Sequence, residues 1–318
     1  MKAIIKAMLL IVTVALLCQC DNIDPDPNIN IPDNNFLDVL IELGVDSNVD
    51  GKISPTEAKV ITYLDLNGFN ESIADLTGIE KFINLDTLLC FGHQLTTLDL
   101  SKNTILSYLD CSSNQIKTLD VSNSTSLERL ICYQNKLTSL DISKNAALKV
   151  LNCSANQITN LDVANNIILK FINCNQNIIT NLDITNNFVL SYLACSWNQI
   201  NTLDVSNNNA LEHLLCIYNQ LSNLDLSENT ILEGITCDRN QITTLDVSKN
   251  IYLEWLSCDG NQLTTLNISN NTSLRGLHLY DMPSLFEVCV WGMPFPPNDF
   301  YLGITGSPNV YFTTECDN

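Results

Sequence analysis

A cysteine returns every 21 residues along most of this chain, at Cys90, Cys111, Cys132, Cys153, Cys174, Cys195, Cys216, Cys237 and Cys258. No other feature restricts the fold so tightly, because a fixed period of this length marks a chain built from stacked, near-identical units. With the cysteine as position zero, leucine recurs at minus five and minus two, as in Leu148 and Leu151. Asparagine recurs at plus three from Asn114 to Asn261, with His93 the exception in the first unit. Ile or Leu falls at plus five, Leu at plus eight, Asp at plus nine and Val, Ile or Leu at plus ten. At plus thirteen Asn returns in most units, including Asn103, Asn145, Asn166 and Asn250. The unit is itself double: "LKVLNCSANQ" and "ITNLDVANNII" share one pattern in 10 and 11 residues. That nesting predicts one short strand and one asparagine corner in each half.

The repeat resembles the bacterial leucine-rich repeat "LxxLxLxxNxL", with cysteine in the third leucine position, and the family it resembles is that of internalin-like surface proteins. The resemblance covers Leu85 to about Leu274, preceded by an irregular first repeat at 65–84 that reads like an internalin-type starting coil. It implies a β-rich, right-handed solenoid of about ten 21-residue coils over 85–280, with parallel short strands stacked at ~4.8 Å. The leucines of one coil cannot be buried without its neighbours, so both ends need caps. Residues 36–64 are the expected helical cap at one end. Residues 281–318 are an irregular cap at the other, where Cys289 and Cys316 lie outside the ladder and are expected to pair in an oxidising exterior. Such a link stabilises by roughly 3–4 kcal/mol on chain-entropy grounds.

Residues 1–19 read as a signal peptide: Lys2 and Lys6 precede an apolar run, Ala7 to Cys18, too short to cross a bilayer as a mature helix. The run ends at "LLCQC", which resembles a bacterial lipobox with Leu17 three residues before Cys20. The resemblance implies that Cys20 becomes the acylated first residue, holding the protein at the bacterial cell envelope, at the outer membrane or cell surface. Gln19 stands where a small residue is usual, Cys18 is a second candidate, and plain secretion is the other reading. Residues 20–35, acidic and rich in Pro and Asn, then form a solvated tether. The chain carries 35 acidic and 15 basic residues, a net charge of −20. Removing Lys2 and Lys6 with the signal makes it −22. A surface this acidic repels nucleic acid and anionic lipid and draws cations in, so membrane contact is expected only through the anchor.

Between tether and repeats, "DSNVDGKISPTE" matches a 12-residue calcium loop. Asp46, Asn48 and Asp50 supply oxygens at positions 1, 3 and 5, Lys52 its backbone carbonyl, Ser54 a water-mediated contact and Glu57 both carboxylate oxygens. Gly51 permits the sharp turn. The loop resembles those of EF-hand and dockerin-type modules, with flanking helices at Phe36–Leu43 and Thr56–Leu64, and implies one structural Ca²⁺. The other reading is a turn of Asp, Asn and Gly that binds nothing.

Three ladders remain. The cysteines lack the close spacing of a zinc site, and a small apolar filler is the reading set against redox or metal chemistry. The aspartates, Asp99, Asp120, Asp141, Asp162, Asp183, Asp204, Asp225 and Asp246, must point outward. Either each accepts hydrogen bonds within its own turn, or the row holds weakly bound cations. The third feature is a variable outward face: Tyr108, Tyr133, Phe171, Tyr192, Trp197, Tyr218 and Trp255, with Phe91, Arg129, His213 and Arg239 among them. Beside Cys153, Asn152 and Ser154 occupy such positions. Aromatics on a sheet face suit a protein or glycan ligand, or they merely favour strands. No catalytic residue is assigned: His93, His213 and His278 lie on different coils. The sequence thus points to an adhesin-like binding protein, with a passive envelope spacer as the alternative.

Overall fold

The computed structural model describes residues 27–69 and 72–316; the signal segment, Cys18, Cys20 and the start of the tether lie outside the described residues. Its frame is a parallel sheet of twelve three-residue strands. The sheet starts at β1 (Tyr63–Asp65) and β2 (Thr87–Leu89) and continues at the cysteine period from β3 (Tyr108–Asp110) to β10 (Trp255–Ser257). The middle residues Leu64, Leu88, Leu109, Leu130 and Leu151 pair in one register. Strands this short follow from the sequence. In most strands only the minus-two residue is fully buried, its neighbours are partly exposed, and the cysteine at zero already turns into the corner.

The corner is made by an unusual backbone. At plus two, Ser113, Gln134, Ala155, Gln176, Trp197, Tyr218 and Arg239 all adopt φ between 51° and 57°, in the slot that Gly92 and Gly260 fill elsewhere. For an L-residue the left-handed region costs roughly 1–2 kcal/mol. The bend drives the plus-three asparagine into the core, where it offsets that cost. Asn156 Oδ1 accepts the Leu137 amide at 3.0 Å, and Nδ2 donates to the carbonyls of Cys132 (3.0 Å) and Cys153 (3.1 Å). His93 does the same in the first unit: Nε2 donates to the Leu66 carbonyl (3.1 Å) and Nδ1 accepts the Ile73 amide (3.4 Å). Each coil then buries its aliphatic set completely, as at Leu148, Leu151, Ile158, Leu161 and Val163. A Leu or Ile so buried contributes about 1.5–3 kcal/mol. The cysteines complete the same core at 0–1% exposure.

The nested half-unit does not give a second strand in most coils. Its aspartate instead holds a turn, and ladder pairing appears there only at the C-terminal end, in β11 (Thr265–Asn267), β13 (Glu287–Cys289) and β15 (Tyr311–Thr313). The C-terminal region is also more regular than expected. The main sheet runs on through β12 (Gly276–His278) and β14 (Tyr301–Gly303) after Leu279 has replaced the cysteine. The sheet has twelve strands where about ten coils were expected over 85–280, because β1 precedes that span and β14 follows it. Cys289 and Cys316 are joined, Cα atoms 5.6 Å apart, and Trp291, Phe295, Phe300 and Phe312 pack together over the last coil.

At the other end, α1 (Asn34–Glu42) and α2 (Pro55–Lys59) close the first coil. The second helix is shorter than the expected Thr56–Leu64, because Leu64 already belongs to β1. The tether ends sooner than residue 35. Ile29 donates its amide to the Ile53 carbonyl at 2.8 Å, and Ile29 and Ile31 pack on the core. Asp33 caps α1 through Oδ1, while Oδ2 accepts the amides of Ala74 and Asp75, fastening the helix to the first coil. Among the described residues no helix is long and apolar enough to cross a membrane.

Candidate functional site

The predicted aromatic face separates into rows. The minus-three residue of each strand points outward. Along that row the Arg129 guanidinium lies 5.1 Å from the Tyr108 ring centre, Phe171 stacks on Tyr192 at 4.6 Å, and Tyr192 meets His213 edge-on at 6.0 Å. Trp255 follows in the row, its ring against His278 (4.7 Å) and, beyond Gly276, Tyr301 (5.9 Å). Trp197 and Tyr218 are not on the strands. They occupy the left-handed plus-two slots and stack at 3.9 Å as a shelf, 51% and 42% exposed. Tyr133, at plus one, is half-buried and belongs to neither row. The structure therefore brings Tyr108, Phe171, Tyr192 and Trp255 into one file, and Trp197 with Tyr218 into another.

Some variable outward positions serve the backbone. Asn152 Oδ1 accepts the amide (3.2 Å) and hydroxyl (2.8 Å) of Ser154, and Asp110 holds Ser112 in the same way. Asn152 and Ser154 are thus engaged with each other. Further along, Asp238 Oδ1 accepts Ser257 Oγ at 2.6 Å and the Asp259 amide at 3.0 Å, and Asp259 accepts the Tyr280 amide at 2.7 Å. Burial pushes the Asp259 carboxyl up to about 6 and raises Asp238 as well. Burial lowers His278, which sits among Trp255, Tyr280 and Tyr301. Two members of this cluster, His278 and Tyr280, flank Leu279, where the cysteine that marks the register is missing.

The aspartate ladder is satisfied locally. Each Oδ1 accepts the amide two residues on, from Asp99 with Ser101 (2.9 Å) to Asp246 with Ser248 (2.8 Å). The hydroxyl and amide of that residue hold Asp120, Asp141, Asp183, Asp204 and Asp246 below the usual carboxylate range. A concavity of about 770 Å³ runs along this side past Asp75, Asp99, Asp120 and Asp141.

The loop at 46–57 turns as expected, with Gly51 at φ 79° and Asp46 accepting the amides of Asp50 (3.2 Å) and Gly51 (2.9 Å). Asn48 and Asp50 are exposed, and Asp50 accepts the Lys52 amide at 2.9 Å. Glu57 does more than the sequence reading assigned to it. Ser54 and Glu57 form a capping box for α2. Glu57 Oε1 takes the Ser47 amide (2.8 Å) and hydroxyl (3.0 Å) and the Asn48 amide (3.2 Å), and Oε2 the Ser54 amide (2.9 Å) and hydroxyl (3.0 Å). The signal was present as Ser-Pro-Thr-Glu, the S/T-x-x-E box. Among the described residues no three His, Cys, Asp or Glu side chains already converge as ligands. The donor set is nonetheless all oxygen, the hard chemistry that suits Ca²⁺.

Burial by itself would raise the Glu57 carboxyl, but the hydrogen bonds from Ser54, Ser47 and Asn48 outweigh it and bring it from 4.5 to about 2. A depressed folded-state value means stability fully present above about pH 4.5 and lost as pH falls toward 2. Without calcium, Glu57→Gln should therefore melt below wild type at neutral pH. The gap should close across that acid window in thermal scans. A gap unchanged from pH 7 to 2 would refute this role.

No protein-family model matches the chain. Internalin J of Listeria monocytogenes serotype 4b (strain F2365) is 41% identical over 73 residues, which are 23% of this chain and 8% of that protein. Among solved structures, the functional domain of InlJ from Listeria monocytogenes, which includes a cysteine ladder, superposes with a TM-score of 0.80. It is 37% identical over 90% of this chain and 62% of that one. A leucine-rich-repeat protein of Leptospira interrogans follows the same path at TM-score 0.68 and 23% identity, over 81% of this chain and 69% of that one. An internalin of L. monocytogenes does so at 0.62 and 20%, over 91% and 96%. The last two show the fold alone. The chain spans less than two thirds of the InlJ domain, and 8% of the length of internalin J. Its solenoid is internalin-like in repeat, ladder and fold.

Proposed function

We propose that the chain is an exported, adhesin-like binding module whose outward aromatic rows recognise a protein ligand, with a glycan as the other ligand class. The observation that carries this is the Trp197–Tyr218 shelf: two stacked rings, half in water, on strained backbone that the fold fills with glycine elsewhere. Large rigid aromatics provide contact area at low entropic cost and dominate binding hot spots. The test is a screen of the mature protein against host-cell surface proteins and glycan arrays, repeated with the Trp197→Ala/Tyr218→Ala double variant. The variant should bind any ligand found at least about tenfold more weakly, the loss of roughly 1.4 kcal/mol. A ligand held equally well by both proteins refutes the shelf. A passive spacer would bind nothing.

Two features belong to the same proposal. One is anchoring at the bacterial cell envelope through acylated Cys20, which fatty-acid labelling that persists in Cys20→Ser would refute. The other is one structural Ca²⁺ held by Asp46, Asn48, Asp50, Glu57, the Lys52 carbonyl and, through water, Ser54. Bound there, the ion would supply a fixed positive centre for the loop's carboxylates. Asp50→Ala is the clean variant, since Glu57 also caps α2 without any ion. Calcium should raise the melting temperature of wild type and leave Asp50→Ala nearly unmoved, while in chelator the two should differ only by the small loss of the exposed Asp50–Lys52 hydrogen bond. Equal calcium shifts would sink the site.

A further inference from the structure

The strand row has gaps as well as rings. Gly234 pairs with His213 on one side and Trp255 on the other, and Gly276 follows Trp255 in register. Glycine weakens a strand and often marks a site of close approach. Here the neighbouring rings need the room. A Cβ on Gly234 would lie 2.8 Å from His213 Nδ1, and one on Gly276 would lie 2.2 Å from Trp255 Cζ3. Each ring thus leans over the glycine of the next coil, and a notch of about 260 Å³ opens between the two. Gly234 and Thr236 line it with the rings, and so do Glu233 and Glu254.

Those glutamates continue a file. Glu212, Glu233 and Glu254 each precede a paired strand residue, so their backbones stand ~4.8 Å apart. The ladder aspartates accept hydrogen bonds from amides of their own turns, but among the described residues the exposed carboxylates of Glu212 and Glu233 have no partner. Among the described residues, Glu254 alone of the three is paired with a cation, Arg275 at 3.5 Å. Two and three coils before Glu212 the same position is basic, at Lys170 and Lys149, and Lys149 pairs with Glu128 at 2.8 Å. The notch therefore combines an exposed indole, a carboxylate without a counter-ion and a protein-wide negative field, the three terms that favour a cation over an aromatic face.

We propose that this notch seats one basic side chain, lysine or arginine, of a protein partner, with its cation against the Trp255 ring and between Glu233 and Glu254. The proposal rests on the recognition reading above and narrows it to a basic peptide. A neutral sugar would leave the Glu233 carboxylate without a counter-charge. A peptide chain is favoured over a free amine because the row continues from the notch into His213, Tyr192 and Phe171, aromatic surface on which residues next to the basic one can lie.

The test is calorimetric titration of the whole protein with capped pentapeptides carrying a central Arg, Lys or Gln between glycines, and with butylamine. The Arg and Lys peptides should bind at about millimolar concentration, and the Gln peptide at least tenfold more weakly. Glu233→Gln, an exposed change that leaves the coil intact, should weaken the basic peptides by about tenfold, as should Trp255→Ala, while Asp225→Asn in the aspartate ladder should not. Raising salt should weaken them further. Equal binding of the Gln peptide, no effect of Glu233→Gln, or no binding at all overturns the notch. Butylamine binding as tightly as the peptides overturns the protein-partner assignment. A ligand that depends on Trp197 and Tyr218 but ignores Glu233→Gln would sink the notch and leave the broader reading standing.

Discussion

Asn156→Ala should destabilise the solenoid by about 2–4 kcal/mol, and Asn166→Ala, only ten residues away, by about 1 kcal/mol. Both side chains are buried asparagines in ladders that repeat every 21 residues. They differ in what depends on them. Asn156 Oδ1 is the acceptor for the Leu137 amide, which has no other partner in the core, and Nδ2 bridges two successive coils. Truncation leaves a buried donor unmade, and that desolvation cost is the large component. Asn166 Nδ2 donates to the carbonyls of Ile142 (3.1 Å) and Asn145 (2.8 Å). Those carbonyls also accept the amides of Asn145 and Leu148, so neither is orphaned. Moreover, Asn166 Oδ1 is buried and accepts nothing from the protein, so alanine removes an unsatisfied acceptor with the bonds. Ser124 already takes this position in one coil, donating to the Asn103 carbonyl at 3.1 Å, and Asn166→Ser should be milder still. Urea unfolding of the three variants measures the order. Equal losses for Asn156→Ala and Asn166→Ala would refute the difference between the two ladders.

The cysteine ladder gives the second large effect. Native protein at pH 8 should leave Cys90 to Cys258 unalkylated for hours, and denaturant should expose all nine at once. Burial pushes the thiols of Cys153 and Cys195 up to about 12 and raises the others in the ladder. At pH 8 a thiol at 12 is ionised in about one molecule in ten thousand, against roughly a quarter for an unperturbed one. Since the thiolate is the nucleophile, labelling should slow by a factor of about a thousand or more before access is considered. Peptide mass spectrometry after timed alkylation reads each site separately. Rapid labelling of any ladder cysteine in the native state would contradict a packing role. Cysteine here is a small apolar filler whose chemistry the core suppresses.

Much of this was legible in the sequence, for a physical reason. Every coil solves one burial problem with one set of residues, so Leu148, Leu151, Ile158 and Cys153 announce their places by recurrence. The outward aspartates could be read as locally satisfied because Ser or Thr usually follows two residues later, as Ser122 follows Asp120. Three things escaped that logic. Trp197 and Tyr218 lie on left-handed backbone, and nothing about a tryptophan or tyrosine signals a positive φ; only their register with Gly92 and Gly260 does. Glu57 satisfies two sequence patterns at once, and the calcium-loop pattern hid the capping box that the backbone uses. The last coils were hidden because Leu279 fills the cysteine place with a larger side chain, so the ruler stopped before the sheet did.

The left-handed corner row has one more consequence. Its torsional cost falls on the backbone and is nearly the same for Ser113, Gln134, Ala155, Gln176, Trp197, Tyr218 and Arg239. Their side chains leave the coil at the corner and take no part in its buried aliphatic core. Swapping one L-residue for another there changes what the surface offers and hardly changes how well the coil folds. The solenoid thus carries a keyboard of seven interchangeable positions at roughly strand spacing, on which new specificities can be written without redesigning the instrument.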